Sequence, residues 1–197
     1  MFTGIVQEIG IVTKRQSSRG LLTFSIRGPK TSRRSTVGSS VAVNGVCTTV
    51  AAKRGSAFRV TCMPETQKKT TVGLWQPGQR LNLEASLRLG DEVGGHFVFG
   101  HVDAVGTIKA ASKRGSDVRL HIALPAALRP FAVARGSVCV DGVSLTVVQR
   151  TSDGFVVALI PHTLAATTLH SLTVGSRVNV EVDMLARYVR EMLDPKL

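Results

Sequence analysis

The stretch VNGVCTTV (43–50) returns almost unchanged as VDGVSLTV (140–147), 97 positions further along the chain. Where the copies differ, Cys47 of the first is replaced by Ser144 of the second. In each copy, Asn-Gly or Asp-Gly lies between two apolar runs, which is the strongest short signal for a β-hairpin. The repeated phrase therefore predicts a β structure that occurs twice.

The match extends well beyond this phrase. PETQKKTT (64–71) lies over PHTLAATT (161–168), and GQRLNLE (78–84) lies over GSRVNVE (175–181). Chance similarity between β-rich segments gives Val-on-Val matches, but it does not keep Gly, Pro, Asn and Glu in register. A period of 97 is too long for a solenoid repeat and fits a whole small domain. The chain is therefore predicted to contain two similar domains, joined near ASLRLGDEVGG (85–95).

The composition limits the class of protein and its compartment. The 197 residues are 43% hydrophobic, which is enough for two modest cores. No run approaches the roughly 18 apolar residues that a membrane helix needs, and the first residues lack the features of a signal peptide. Three cysteines without a CxxC spacing point to a reducing compartment, and to neither a disulfide framework nor a zinc site. We therefore expect a cytoplasmic protein with no membrane partner and no metal.

The formal net charge of +12 raises nucleic acid as an alternative partner. A nucleic-acid footprint is normally a continuous basic stripe with interleaved aromatics, and aromatic residues make up only 5% of this chain. We interpret the basic clusters as solvated hairpin loops that attract anionic species generally, and we expect no nucleic-acid partner. Tight, salt-sensitive retention of RNA would contradict this interpretation. The clusters are KRQSSR (14–19), KTSRR (30–34), KR (53–54), KK (68–69) and KR (113–114).

Short stretches rich in β-branched residues recur between turn residues, about six in each half. RLNLEA (80–85) and RVNVEVD (177–183) alternate as half-buried strands require. Short strands at this density predict a small closed barrel, because closure removes exposed strand edges. HTLAATTL (162–169) and LPAALRPFAV (124–133) predict helical turns, the second ending at Pro130. The predicted fold class is all-β, with tandem duplicated six-stranded β-barrels and a C-terminal α-helix.

The tail DMLARYVREML (183–193) carries the clearest helical pattern. Asp183 stands where an N-cap belongs, and Pro195 follows the predicted end. Such an amphipathic helix must bury its apolar stripe either on its own barrel or against copies of itself, and the sequence leaves both open. The stripe consists of Leu185, Tyr188, Val189, Met192 and Leu193.

The doubled domain admits three explanations: one dead site, two independent binding modules, or two copies of one small molecule held face to face. The third is chemically attractive, because holding two reactants in register supplies about 7–11 kcal/mol of a barrier. Cys47 and Ser144 would place a thiol opposite a hydroxyl, with Thr49 and Thr146 beside them.

Histidines suited to proton transfer occur in GGHFVFGH (94–101). With the offset reduced to 96, GIVQEIG (4–10) lies over GHVDAVG (100–106), so His101 falls in the segment that matches the N-terminus. His101 is therefore the candidate proton carrier, and His96 is assigned a structural role.

Several motifs together resemble the riboflavin synthase family of the α-subunit type, whose members are lumazine-binding double barrels. The likeness spans essentially the whole chain and rests on MFTGIV (1–6), NGVCTTV (44–50), PETQKKTT (64–71), GDEVGGHFVFGHVD (90–103), VDGVSLTV (140–147), LIPHTLAATTL (159–169) and VNVEVDMLARYV (178–189).

The resemblance implies two Greek-key barrels, a C-terminal helix and a homotrimer. It also implies the last step of riboflavin biosynthesis: the dismutation of two 6,7-dimethyl-8-ribityllumazine molecules to riboflavin and 5-amino-6-ribitylaminouracil, without a cofactor. Association with lumazine synthase, the preceding enzyme, is a further partner that it suggests. By resemblance, residues 1–87 and 88–182 are the two lumazine-binding barrels, and 183–197 form the helix and trimer contact.

Carried over by motif, the family's site implies a catalytic set made of Cys47, His101, Ser144 and Asp183. Phe2 is expected to shape the site. The N-barrel pocket would consist of Gly4, Ile5, Val6, Ser40, Cys47, Thr48, Thr49, Thr61, Cys62, Met63, Pro64, Glu65 and Thr66. The C-barrel pocket would consist of Gly100, His101, Val102, Arg135, Ser144, Leu145, Thr146, Ala158, Leu159, Ile160, Pro161, His162 and Thr163.

The chain departs from the family pattern at three positions. Arg135 replaces the usual Lys and cannot give up its proton, so it is restricted to anchoring. Thr48 replaces Leu, and Phe99 fills a position that is often small or polar.

The nearest alternative is a non-catalytic lumazine- or flavin-binding protein of the same superfamily. Such a protein would be expected to lose the polar residues of the second half, whereas His101, Ser144, Thr146 and Asp183 all remain. The flavin barrel of a reductase is disfavoured, because no GxGxxG turn is present.

Overall fold

The computed structural model describes residues 1–114 and 117–193, which form two closed six-stranded barrels and a final helix. The first barrel contains β1 (Glu8–Ser18), β2 (Leu21–Arg27), β3 (Ser40–Val43), β4 (Val46–Arg54), β5 (Ala57–Cys62) and β6 (Arg80–Ala85). The second contains β7 (Ala104–Arg114), β8 (Asp117–Ala123), β9 (Ser137–Val140), β10 (Val143–Arg150), β11 (Gly154–Leu159) and β12 (Arg177–Val182). The helices are α1 (Pro29–Arg34), α2 (Pro64–Lys69), α3 (Pro161–Ala166) and α4 (Met184–Leu193), with 3-10 segments at Thr71–Leu74, Ala126–Phe131 and Thr168–Ser171.

The two barrels share one topology. Their strand orders are β1-β2-β5-β4-β3-β6 and β7-β8-β11-β10-β9-β12, with antiparallel neighbours and crossing connections of the Greek-key kind. The repeated phrases form the β3–β4 and β9–β10 hairpins, in which Asn44 and Asp141 take φ angles of +43° and +45°. Left-handed residues followed by glycine are what these tight turns require. The predicted fold class is confirmed.

Side chains fill the interior of each barrel. Six strands leave a narrow cylinder, and apolar residues from alternate positions of every strand occupy it. In the first barrel, Trp75 packs edge-on against Phe24 with ring centroids 5.2 Å apart. A ligand therefore has no room inside either barrel and must bind on an outer surface.

The strands β6 and β12 differ from the prediction for them. Their alternating pattern indicated half-buried strands, but from the second residue onward both faces are buried. The polar face of each strand lies at the seam between the barrels, where Asn82 and Asn179 are 1% exposed. The apolar residues of each strand face the core of its own barrel, and the alternating polar residues face the other barrel instead of water.

The seam between the barrels follows an approximate two-fold symmetry. The Asn82 side-chain amide donates to the carbonyl of Asp141 (2.9 Å), and the Asn179 amide donates to the carbonyl of Asn44 (2.8 Å). The backbone N–H groups of Thr168 and Thr71 in turn donate to these two asparagines, at 2.8 and 2.7 Å. Buried polar groups in such a closed network make the relative placement of the barrels specific.

Several local predictions change in the structure. The basic cluster at 30–34 forms α1 instead of a loop, and Lys68 and Lys69 end α2. Residues 14–18 continue β1, and the 3-10 segment at 126–131 contains Pro130 instead of ending there. Proline fits this short segment because few backbone donors are needed in it.

The tail helix forms as predicted. The Asp183 carboxylate accepts a hydrogen bond from the N–H of Leu185 (3.0 Å), which is the N-cap contact. Pro195 lies outside the described residues. Within the ranges given above, no helix combines the length and apolarity needed to span a membrane.

Candidate active site

The alternation of β4 and β10 directs the paired thiol and hydroxyl outward. Cys47 and Ser144 are half-buried on the outer surface of their barrels, and the threonines two residues later are exposed. Thr48 points inward instead, and its hydroxyl donates to the carbonyl of Val41 (2.9 Å). The core also takes the side chains of Cys62, Leu145 and Leu159. These four predicted contacts can therefore offer a ligand only backbone atoms.

Each outer face is completed by a segment from the other repeat. The N–H of Cys47 donates to the carbonyl of Gly100 (2.9 Å), and the N–H of Ser144 donates to that of Gly4 (2.8 Å). The predicted pockets group Gly4 with Cys47 and Gly100 with Ser144, and the structure pairs them the other way. The duplicated segments have exchanged positions, which a linear alignment of the repeats does not reveal.

Glycine is required at both crossing points. Gly4 and Gly100 each take a φ angle of +74°, and an added Cβ would lie 2.7 Å from Ser144 Cβ or 2.6 Å from Cys47 Cβ. The crossing segments therefore lie in direct backbone contact with the strands that carry the reactive groups. We define the two surfaces as the thiol face (Cys47, Thr49, Thr61, Gly100–Val102) and the hydroxyl face (Ser144, Thr146, Ala158, Gly4–Val6).

Two buried glutamates hold these crossing segments. Glu84 accepts hydrogen bonds from the N–H groups of Thr3 (2.7 Å) and Gly4 (3.0 Å), and Glu181 accepts one from the N–H of Phe99 (2.8 Å). Burial raises the pKa of both carboxyl groups, while the backbone donors act against that shift. No functional role for these residues follows from the sequence alone, although both repeats keep a Glu at the equivalent position of β6 and β12.

The hydroxyl face contains a serine–histidine pair. His96 Nδ1 lies 2.7 Å from Ser144 Oγ, and the His96 N–H donates to the carbonyl of Thr3 (3.1 Å). Burial lowers the pKa of His96, while the negative charge of Asp183 acts in the opposite direction. A neutral imidazole beside a hydroxyl is equipped to accept its proton. The sequence analysis assigned His96 a structural role, because no residue type or spacing linked it to Ser144, 48 positions away.

His101 lies on the thiol face, away from this pair. Its side chain is exposed, and its ring centroid is 6.0 Å from that of Phe99. Arg187 of α4 reaches toward the His101 carbonyl (3.5 Å) and forms an ion pair with Asp103 (2.6 Å). The structure therefore places Cys47 and His101 on one face and Ser144 on the other. Asp183 caps α4, and its negative charge acts on His96.

The remaining predicted contacts fall into two kinds. Phe2 is fully buried with Val98 and Cys139 beneath the thiol, so it supports the site from below. Arg135 lies in an exposed turn with a φ angle of +65°, and its backbone N–H donates to the carbonyl of Val147 (2.8 Å). The others lie at the surface or partly buried beside the two faces: Ser40, Met63, Pro64, Glu65, Thr66, Ile160, Pro161, His162 and Thr163. Among the described residues, no group of three metal-binding side chains comes together.

The chain matches known proteins over its whole length. The lumazine binding domain model matches residues 3–86 and 99–183. A riboflavin synthase of Mycobacterium tuberculosis is 43% identical over 197 residues, with 98% of each chain covered. The chain belongs to the riboflavin synthase family. Another family member, from Bacillus subtilis, is 36% identical over 193 residues, covering 98% of this chain and 90% of that one.

A solved structure shares the overall fold. The structure of LumP complexed with riboflavin has a TM-score of 0.84 and 26% identity, covering 93% of this chain and 100% of that chain. The two segments matched by the family model begin at Thr3 and Phe99, equivalent positions under the offset of 96. In this chain, each matched repeat therefore starts with the segment that crosses to the other barrel.

Proposed function

We propose that the chain catalyses the dismutation of two 6,7-dimethyl-8-ribityllumazine molecules. The products would be riboflavin and 5-amino-6-ribitylaminouracil, formed by transfer of a four-carbon unit. Family membership over the full length supports this reaction. The observation that carries the proposal is the pair of similar outer faces, of which one presents the Cys47 thiol and the other the Ser144–His96 pair. A protein that only stored one ligand would need neither.

The chemistry requires a proton acceptor, a nucleophile and close placement of two reactants. A proton leaves the 7-methyl group of the donor lumazine, and the resulting carbanion attacks an acceptor that a nucleophile or water has activated. Four carbons then move to the acceptor, and eliminations complete the new ring.

We assign Ser144 as the nucleophile on the hydroxyl face and His96 as its base. The neutral imidazole accepts the hydroxyl proton as the Ser144 oxygen adds to the acceptor lumazine. We assign Asp183 the role of stabilising the imidazolium that forms, since its negative charge partly opposes the lowering of the His96 pKa by burial. We assign proton transfer on the thiol face to His101, with Cys47 beside it. The exposed threonine hydroxyls on both faces would bind the polar edges of the lumazine ring or its ribityl chain.

We propose that the reacting pair assembles between chains of a homotrimer. Both faces lie on the outside of their barrels, so one chain leaves each of them open. In α4 no residue is buried, and Leu185, Tyr188 and Met192 are 66%, 62% and 82% exposed. This helix instead contacts its own barrel through its basic side chains, with Arg190 5.0 Å from the centre of the Phe131 ring. An apolar stripe left open in this way fits a contact between copies.

The domain boundaries and location follow from the same proposal. Residues 1–87 and 88–182 would be the two lumazine-binding barrels, and 183–197 the trimer helix. The free thiols of Cys47, Cys62 and Cys139 favour a reducing compartment such as the cytoplasm. Association with lumazine synthase stays a prediction from the resemblance alone.

The decisive experiment mixes the purified full-length protein with the lumazine and follows riboflavin formation by absorbance. Wild-type protein should form one riboflavin for every two lumazines consumed. Ser144→Ala and Cys47→Ala should each slow turnover, and a rate left intact by either change removes that residue from the mechanism. Tight lumazine binding without any product would favour the second candidate, a binding protein like the LumP of the solved complexes.

A further inference from the structure

A second kind of site lies at the seam between the barrels, outside the two faces described above. A cleft of about 410 Å³ opens there, lined by residues of both repeats. Arg80 and Arg177, the first residues of β6 and β12, both line it. They are equivalent residues of the two repeats, so the approximate two-fold symmetry brings one guanidinium from each barrel to a single cleft.

This cleft has an excess of positive charge. Both arginine side chains are exposed, and neither pairs with a carboxylate in the described part of the chain. Of the described lining residues, Asp141 is the one acid, and its burial raises its pKa to about 7. Near neutral pH the carboxyl therefore offsets only part of the arginine charge.

One further lining group can donate to an anion. The Thr71 hydroxyl accepts a hydrogen bond from the Trp75 indole (3.3 Å), so its own hydrogen is free to donate. The cleft therefore offers an anion this neutral donor together with the two arginine side chains.

We propose that this cleft binds a diphosphate group. Arginine suits phosphate oxygens because its planar donors match them two at a time, and two such groups call for two adjacent phosphates. The volume lies within the range of small-molecule sites. The group belongs either to free inorganic diphosphate or to a nucleoside diphosphate. The site is separate from the lumazine faces, and it does not depend on the reaction proposed for them.

The test is calorimetric titration of the full-length protein at constant ionic strength with sodium pyrophosphate, ADP or sodium chloride. We expect saturable binding of pyrophosphate, one per chain, and no binding isotherm for chloride. The double variant R80Q/R177Q should bind at least about ten-fold more weakly, because the charge-assisted hydrogen bonds are lost. The matched control is R54Q/R150Q, which removes one exposed arginine from each barrel outside the cleft.

The outcomes separate the alternatives. Binding of ADP tighter than that of pyrophosphate assigns the site to a nucleotide, and the reverse assigns it to the free anion. An unsaturable wild-type titration overturns the proposal. So does an affinity that falls equally in both double variants, which would reveal a diffuse charge effect. The single variants R80Q and R177Q give the same comparison if the double variant fails to fold.

Discussion

The two repeats differ most in their chemistry at one pair of equivalent positions, Cys47 and Ser144. Both lie on an outer face in backbone contact with a crossing glycine, yet only the serine has a histidine within hydrogen-bonding distance in the described structure. His96 belongs to the connection between the barrels, and this connection lies against the N-terminal segment, where the N–H of His96 donates to the carbonyl of Thr3.

His96→Gln should lower kcat by about 10²–10³-fold with a small change in KM, because Gln can hold a hydrogen bond but cannot take up a proton. Steady-state kinetics with the lumazine measure this. His121→Gln is the control, since His121 pairs with Asp153 away from both faces. An unchanged kcat would return His96 to the structural role that the sequence suggested.

Gly100→Ala should destabilise the protein by about 2–4 kcal/mol, since it combines a positive φ with a clash against Cys47. Gly38→Ala separates the two causes, because Gly38 also has a positive φ (+90°) but nothing lies within 4 Å of an added Cβ. Denaturant unfolding of both variants compares them. Equal losses of unfolding free energy would show that the close contact at Gly100 relaxes without penalty.

At the scale of elements, α4 differs from every strand because its apolar side chains are left uncovered by its own chain. Its cap and its ion pair with Asp103 orient it, while the stripe around Leu185 and Tyr188 stays exposed. Isolated helices of this length are marginal in water, so packing must supply the rest of its stability. The proposed trimer supplies that packing.

Leu185→Glu should convert a trimer of 21.0 kDa chains into monomers, because a carboxylate in a closed apolar contact loses its hydration without a partner. Sedimentation velocity measures the mass, and turnover should fall with it. Glu191→Gln, an exposed polar change on the same helix, should leave the mass unchanged. A wild-type protein that sediments as a monomer at micromolar concentration contradicts the proposed assembly.

At the scale of the whole molecule, a buried polar seam holds the barrels in place. The turn residues take corresponding roles in it: Asn44 accepts from the N–H of Asn82 (2.7 Å), and Asp141 accepts from that of Asn179 (2.8 Å). One repeat therefore makes this contact with a neutral amide and the other with a carboxyl. Burial disfavours the ionised form of that carboxyl and raises the pKa of Asp141 to about 7.

Asp141→Asn should stabilise the fold above neutral pH. A folded pKa of about 7, above the unfolded value near 3.9, means that the contribution of Asp141 to stability is greatest below pH 4 and is lost as pH rises through 7. The amide removes that loss, which is on the order of 4 kcal/mol at most by pH 8. Urea unfolding at pH 5 and pH 8 should show a larger gain at pH 8.

The reverse change serves as the matched control. Asn44→Asp places a second buried carboxyl at the equivalent turn, so its cost should grow as pH rises. If each variant changes the unfolding free energy relative to wild type by the same amount at pH 5 and pH 8, ionisation of Asp141 does not lower the stability of the fold.

The sequence by itself determined the barrels, the hairpin turns at Asn44 and Asp141 and the tail helix, because side-chain period and turn chemistry are local properties. It also identified Cys47 and Ser144 as equivalent residues of the two repeats, since the repeats align there, but their outward direction came from the structure. Only the tertiary structure decided that the glycine segments exchange barrels, that His96 reaches Ser144, and that β6 and β12 bury their polar faces. Those outcomes depend on contacts between residues far apart in the sequence, such as Gly4 with Ser144 and Asn44 with Asn179, for which no local pattern carries a signal.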